Sequence, residues 1–367
     1  MSKLKRQKHI LPALLVIGVS IGVVTLAMIP MFRLNKVSGA LLTSNPIPAV
    51  IATKNSLDGR GVQIKAPEGI SMLFIGDMMF GREVAHRMQL NRDPAYPFRK
   101  MPTDWISQFD FAIGNLEGPV TTERHAPEKS IDFIFQPNII PVLKSEGFDG
   151  VSQANNHSFD QGRIGHEDSM KRLKDAGLIA FGEQVKDGEE ALAFADIQGK
   201  RFAFLGFNTT DNPLDREAAA AVIKQAKADS DFVIVMIHWG VEYHDTPEPS
   251  VIATAHWLID EGADMIIGGH PHWEQGISVY KNKPIAWSLG NFIFDQDWSV
   301  KTREGLALGV TIYNKKITME LFPLSIVRSQ PEILTEDGRK KRLESIAEVS
   351  DATLREQISN GKIVVNQ

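Results

Sequence analysis

From Ser71 to about Ser325 the chain alternates short apolar runs with amphipathic segments, and most of the runs end in a residue that can hold a metal or move a proton. Met72–Ile75, Phe109–Ile113, Gly150–Ser152, Phe202–Phe207, Phe232–Ile237 and Met265–Ile267 read as buried strands. Between them, Asn138–Glu146, Ile164–Ala176, Asp215–Ala228 and Ser250–Glu261 carry apolar residues at helical spacing. Such alternation specifies an α/β domain with much parallel pairing. Beyond Gln275 the helical period stops. Gly276–Tyr280, Pro284–Ser288, Leu306–Tyr313 and Ile317–Pro323 read as successive antiparallel strands, and the charged stretch from Thr335 onward reads as one or two peripheral helices.

The polar residues at the run ends are Asp77 after Gly76, Asn115 and Glu117 after Gly114, and Asn155-Asn156-His157 after the third run. His238 ends the Phe232 run, Gly269-His270-Pro271-His272 ends the Met265 run, and Gly290-Asn291 follows the Pro284 run. Ligands of open α/β sheets bind in the crevice at the carboxyl ends of the strands. Asp, Asn and His arriving there from several strands can converge on a hard or borderline metal, and glycines beside them permit close backbone approach. Taken singly, each motif reads as a turn, a loop or an exposed His-Pro-His. Their joint occurrence at successive strand ends points to a site.

In this order the motifs resemble the calcineurin-like metallophosphoesterases. They are more similar still to the CapA family: Gly76-Asp77-Met78-Met79 with Arg82, Gly114-Asn115-Leu116-Glu117, Ala154-Asn155-Asn156-His157, His238-Trp239-Gly240-Val241-Glu242-Tyr243, Gly269-His270-Pro271-His272, and Leu289-Gly290-Asn291-Phe292-Ile293-Phe294-Asp295-Gln296. The resemblance covers about residues 71–326. It implies an α/β/β/α sandwich, and a role in making, exporting or anchoring poly-γ-glutamate or a similar anionic polymer beside membrane synthase components of the CapB and CapC kind. It also implies a divalent metal (Mn, Zn, Fe or Mg) held by Asp77, Asn115, Asn156, His238, His270 and His272. Two positions depart from the phosphoesterase pattern. Met79 stands where that pattern has a histidine, and a thioether is a poor ligand for these metals. Asn115 stands where it has an aspartate bridging two metals.

The half-site of Asp77 and His272 therefore lacks a ligand, while that of Asn156, His238 and His270 is complete, and one well-held metal is expected. Glu117 is expected to restore a carboxylate to that metal, or to act as a base on its water; the alternative is an ion pair with Arg82. His157 matches the proton donor to the leaving group, with Asp160 to orient it, or else it caps its loop. Arg82 is expected to grip a carboxylate or phosphate of the substrate, or else to pair with a nearby Asp or Glu; Asn291 is expected to meet substrate, and Asp295 and Gln296 to line the cleft or to support the residues that do. His86, His125, His166, His244 and His256 read as structural or exposed. The trio Asn115, Met79 and His157 leaves two functions open: an accessory protein that holds the polymer, and a metal-dependent hydrolase of phosphoesters or amides. A plain adhesion module would not need histidines at three strand ends.

The N-terminus sets the compartment. Lys3, Lys5, Arg6 and Lys8 precede an uncharged apolar run over 10–32, long enough to span a bilayer. The expected plan is a cytoplasmic basic segment (1–9), one transmembrane helix (10–32), a Pro/Gly/Ser/Asn-rich linker (33–69), an extracytoplasmic CapA-like domain (70–330) and a helical tail (331–367). Cleavage after Ser38-Gly39-Ala40 is the alternative. Of 40 basic and 45 acidic residues, four basic and no acidic ones lie in 1–32, so the remainder carries 36 against 45 and a net charge of −9. A domain so acidic is not a general nucleic-acid binder, and it must meet a polyanion through a local basic or metal-lined cleft. With no cysteine, disulfides and thiolate sites are excluded.

Overall fold

The computed structural model describes residues 69–127, 129–182 and 190–367. The expected anchor (10–32) and most of the linker fall outside the described residues, and no helix among those described is long and apolar enough to cross a membrane.

Two sheets form the middle of the fold. The larger is centred on β1 (Ile70–Met78), which runs parallel to β2 (Phe111–Leu116), followed by β3 (Gly150–Ser152) and β4 (Ile179–Phe181). On the other flank of β1 lie the antiparallel strands β12 (Glu304–Tyr313), β13 (Lys316–Val327) and β14 (Gln330–Ile333). The short β11 (Asn291–Ile293) runs parallel to the end of β1, and β15 (Lys362–Asn366) is antiparallel to β13. The smaller sheet has the order β5 (Leu192–Ile197), β6 (Lys200–Asn208), β7 (Phe232–His238), β8 (Met265–Gly269), β10 (Lys283–Ala286), β9 (Ile277–Tyr280), with β6, β7, β8 and β10 mutually parallel.

The two-residue period of the strands decides which side chains fill which layer. Met72 and Phe74 of β1 face Phe202 and Phe204 of β6 and Phe232 and Ile234 of β7 in a core between the sheets. Leu73 and Ile75 point the other way, onto Val84 and Met88 of α1 (Arg82–Leu90), Leu143 of α2 (Ile139–Glu146) and Leu173 of α3 (Gly162–Asp175). Val233 and Val235 of β7 pack on Ile223 of α4 (Arg216–Asp229) and Leu258 of α5 (Pro249–Glu261). Each fully buried Val, Ile, Leu or Phe contributes roughly 1.5–3 kcal/mol relative to exposure. The layers are thus helix, sheet, sheet, helix. Local signals place the helix ends: Asp215 accepts from the Ala218 amide to start α4, Pro249 opens α5, and Gly147 at φ 101° ends α2.

Two expectations need correction. The strands after Gln275 do not form one antiparallel series. β9 and β10 belong to the smaller sheet, where β10 runs parallel to β8, whereas β12 and β13 belong to the larger. The tail is not helical throughout. After α6 (Glu336–Glu348) and α7 (Arg355–Ser359) it returns as β15, whose Ile363 and Val365 join Leu343, Ile346 and Ile358 in the inter-sheet core.

Candidate functional site

The parallel strands of both sheets end at one edge, and the residues singled out from the sequence meet there. Asp77, at the end of β1, joins the two sheets. Its Oδ1 accepts from Asn115 Nδ2 at 2.8 Å on β2, and its Oδ2 accepts from the His270 amide at 3.2 Å, beyond β8. Glycine makes this approach possible. A Cβ on Gly269 would lie 2.8 Å from Asp77 Oδ1 and 3.3 Å from His238 Nδ1. The loops that carry the ligands are held in costly backbone, with His270, His272 and Tyr243 at φ 94°, 57° and 63°.

The site is deeply buried: Asp77 and Glu117 are fully enclosed, and His238, His270 and His272 nearly so. One oxygen of Glu117 lies 3.7 Å from His272 Nε2 and 3.9 Å from His238 Nε2. His272 Nδ1 is 3.5 Å from Asp77 Oδ2. Asp77, Glu117 and His238 each offer a ligand atom within 4.8 Å of the others. Both Glu117 oxygens, His238 Nε2, His270 Nδ1 and Asn156 Oδ1 are buried with no hydrogen-bond partner. Orphaned buried polar atoms cost about 1–3 kcal/mol each, and those of Glu117 and His238 lie together in the group with Asp77. That donor set fits a divalent cation.

Electrostatics divide the group. Burial pushes the Asp77 carboxyl up, but the His272 hydrogen bond and the nearby His238 outweigh it and hold its pKa down to about 2. Burial raises Glu117 well above the usual carboxylate range. Burial also disfavours charge on His272, yet Glu117 and Asp77 outweigh it and raise its pKa to about 9. His238 lies well below its ordinary value and His270 is lowered to about 3, both chiefly by burial. Neutral imidazoles at His238 and His270 are the ligating form.

The structure redistributes several expected roles. The tightest group takes Asp77 from one expected half-site and His238 from the other, with Glu117 between them. Asn115 acts as a connector: its amide donates to Asp77 and its Oδ1 accepts from Asn155 Nδ2 at 3.0 Å. Asn156 is only partly buried, and its backbone carbonyl accepts from Lys129 Nζ at 2.5 Å. Met79 is sealed in the apolar layer, with its sulfur accepting from the Gly81 amide at 3.0 Å. Glu117 does not pair with Arg82. Arg82 is bound by Asp295, which also accepts from the Glu83 amide at 3.2 Å, and its guanidinium sits 4.9 Å over the Phe133 ring.

Asn291 and Asp295 are both engaged by neighbouring residues of the protein. Asn291 is fully enclosed; its Oδ1 lies 2.9 Å from His272 Nδ1, and its amide donates to Gln296 and to the Thr302 carbonyl, so it fixes the His272 ring. Asp295 positions Arg82 and the start of α1. His157 Nδ1 lies 2.6 Å from Asp160 Oδ2, which also accepts from the Phe133 amide at 2.7 Å. The imidazole stacks on Phe133 at 4.0 Å. An imidazole held by a carboxylate through Nδ1 keeps Nε2 for proton transfer. Sequence reasoning missed Glu242, whose Oε1 is 3.9 Å from His272 Nε2, and Lys129. Glu242 stands inside the motif that begins at His238, where nothing in the sequence sets it apart from its neighbours, and Lys129 carries no local signal.

The family model for bacterial capsule synthesis protein PGA_cap matches residues 71–296. The capsule biosynthesis protein CapA of Bacillus anthracis is 32% identical over 306 residues, covering 77% of this chain and 74% of that protein. The PGA biosynthesis protein CapA of Bacillus subtilis (strain 168) is 28% identical over 321 residues, covering 82% and 83%. A hypothetical protein from Thermus thermophilus has a TM-score of 0.41 at 18% identity over 71% of this chain and 96% of that one, a likeness too loose to add to the layers described above. The chain belongs to the PGA_cap family of bacterial capsule synthesis proteins.

Proposed function

We propose that the chain is an accessory protein of poly-γ-glutamate synthesis, export or anchoring, and that its crevice holds one divalent cation which meets the carboxylates of the polymer. The observation that supports the reading is the buried group of Asp77, Glu117 and His238, in which both Glu117 oxygens and His238 Nε2 have no hydrogen-bond partner. Asp77, Glu117, His238 and His272 would hold the cation, with His270 and Asn156 on its outer side. A cation there supplies positive charge to a domain that is otherwise acidic. The chain's own residues do the rest: Asn291 orients His272, Asn115 lies between Asp77 and His238, and Arg82 offers a guanidinium at the rim. The basic segment and apolar run over 1–32 would anchor the domain outside the membrane, beside the synthase.

A second reading, metal-assisted hydrolysis, is favoured by the His157–Asp160 pair. His157 would give its Nε2 proton to a leaving oxygen or nitrogen. One experiment separates the two. Purified full-length protein, stripped of metal and reloaded with Mn2+, is titrated with γ-linked glutamate oligomers by calorimetry, and the oligomers are then examined for cleavage. Mn2+-dependent binding without cleavage supports the accessory role. Cleavage that is lost in His157→Asn moves the assignment to the hydrolase. No binding with or without metal refutes the first reading.

A further inference from the structure

Four stretches of backbone cross immediately behind Asp77, and glycines let them. A Cβ on Gly76 would collide with the Gly290 carbonyl oxygen, and one on Gly305 with the Asn291 carbonyl oxygen. A Cβ on Gly290, itself at φ 65°, would lie 2.9 Å from the Glu274 amide nitrogen and 3.3 Å from the Glu304 carbonyl oxygen. The Asp77 amide donates to the Gly290 carbonyl at 2.9 Å. The crossing therefore joins the end of β1, the start of β11 with Asn291, the start of β12, and the residues that follow His272. The first three belong to the larger sheet, and the last lead into the smaller one. Here the two halves of the metal group are set against each other.

One side chain spans the crossing. Arg342 on α6 is bound by Glu274 and Glu304, the two residues whose backbones flank Gly290, through a single guanidinium nitrogen. Glu274 is buried and stands two residues beyond His272. Attachment of α6 does not need this bridge. Leu343, Ile346 and Ala347 already seat the helix in the inter-sheet core, and beyond it Ser350 Oγ and Asp351 Oδ2 accept from the Ile277 and Val279 amides at 2.9 Å each. Burying a charged pair costs about as much as its attraction returns, so the bridge adds little to the hold on the helix. What it adds is fixity. The loop that it grips has His270 and His272 at φ 94° and 57°, a backbone that persists only where its surroundings over-determine it.

We propose that Arg342 is a positioning residue for the cation group. By gripping Glu274 and Glu304 together it holds the His270–His272 loop against the start of β11. That keeps His272 Nδ1 at 2.9 Å from Asn291 Oδ1 and the ring turned toward Asp77 and Glu117. The C-terminal tail is then part of the site without contributing a ligand. The inference rests on the cation reading of the crevice given above, and adds to it a residue that sets the geometry from outside.

The test uses the full chain and Mn2+, with affinity measured by calorimetry. Arg342→Met alone leaves two carboxylates together without a counter-charge and is the variant most prone to unfold. The paired variant Glu274→Gln/Arg342→Met leaves only the partly exposed Glu304 and carries the argument. It should fold and bind Mn2+ about tenfold more weakly than the wild type, the low end of the loss seen when residues behind metal ligands are changed. The visible spectrum of bound Co2+, which reports ligand geometry, should change with it. Leu258→Ala, a cavity variant in the layer under α5, is the control for general loosening. It should lose stability in urea and keep the wild-type affinity for Mn2+. Wild-type affinity and an unchanged Co2+ spectrum in the folded paired variant would overturn the positioning role and leave the cation reading standing. An equal loss of affinity in Leu258→Ala would overturn it too, since any loosening would then weaken the site. Failure of the paired variant to fold would make Arg342 a residue of the fold and not of the site. A wild type that binds no Mn2+ would remove the cation reading, and this inference with it.

Discussion

Replacing Glu117 with glutamine removes from the centre of the proposed metal group the carboxyl that can give up its proton to a cation, and leaves the shape nearly intact. The affected oxygen lies 3.7 and 3.9 Å from the two histidine nitrogens that share the site. At an effective dielectric of about 20, a dication some 4 Å from a carboxylate is attracted by about 8 kcal/mol. Dehydration of both ions and loss of the proton that burial holds on Glu117 offset most of this. If about a third survives, the dissociation constant rises about 100-fold. Linkage turns this into a stability measurement. At a Mn2+ concentration 100 times the wild-type dissociation constant, bound metal stabilises the wild type by about 2.7 kcal/mol and the variant by only about 0.4 kcal/mol. Without metal the order reverses or vanishes, since Glu117→Gln removes a buried carboxylate that has no hydrogen-bond donor. Urea unfolding with and without Mn2+, together with direct titration of metal, gives both numbers. An unchanged dissociation constant in Glu117→Gln would refute the placement of this carboxylate on the metal.

The other predictions concern single residues. His238→Ala should lower bound metal, measured by elemental analysis, more than His270→Ala, because His238 and not His270 belongs to the tight group with Asp77 and Glu117; equal losses would contradict that grouping. His166 is fully buried against Phe159, and burial lowers its pKa to about 4 from 6.5. Its neutral form is retained in the folded state, so stability is present above pH 6.5 and lost as pH falls toward 4, by about 3 kcal/mol in all. His166→Phe should flatten that part of the stability–pH curve, and an unchanged slope in urea melts between those limits would speak against it. Arg342 on α6 bridges the buried Glu274 and Glu304. Arg342→Met should cost about 3–5 kcal/mol in chemical denaturation by leaving both carboxylates without a partner; a loss under about 1 kcal/mol would mean that water serves them equally well.

The inner strands were legible because a strand buried on both faces must be apolar at consecutive positions, as Phe232–Ile237 is. Some short or peripheral strands were not: β5 and β15 leave part of their length exposed, and β4 and β11 have only three residues each. α1 was missed because Arg-Glu-Val-Ala-His-Arg-Met-Gln-Leu buries only Val84 and Met88. At the site, the residues were identifiable because strand ends are identifiable. Their pairing was not, since it depends on how two sheets are set against each other. Whether Asp77 lies against His238 or against His270 follows from the approach of Gly269 to β1, and no spacing within either segment encodes that. The role of Asn291 was hidden for the same reason. A polar residue after Gly290 reads as a ligand contact until its amide is seen spent on Gln296 and Thr302.

The position of β1 has a consequence for the order in which the fold can be assembled. Its pairing with β2 needs only the next few dozen residues, but on its other flank Ile70 pairs with Ile312 and Phe74 with Leu308. The central strand of the larger sheet therefore keeps one open edge until nearly the whole domain has been synthesised. Contacts so distant in sequence close slowly, and an open apolar strand edge invites pairing with other chains. Truncated chains that stop before Glu304 should consequently aggregate even though every residue of the metal group is present, and holding the chain extended until its last strands emerge should improve the yield of folded protein. The same connectivity makes the segment from Glu304 onward a timing element: it completes the sheet from which Asp77 projects, and so decides when the site comes into being.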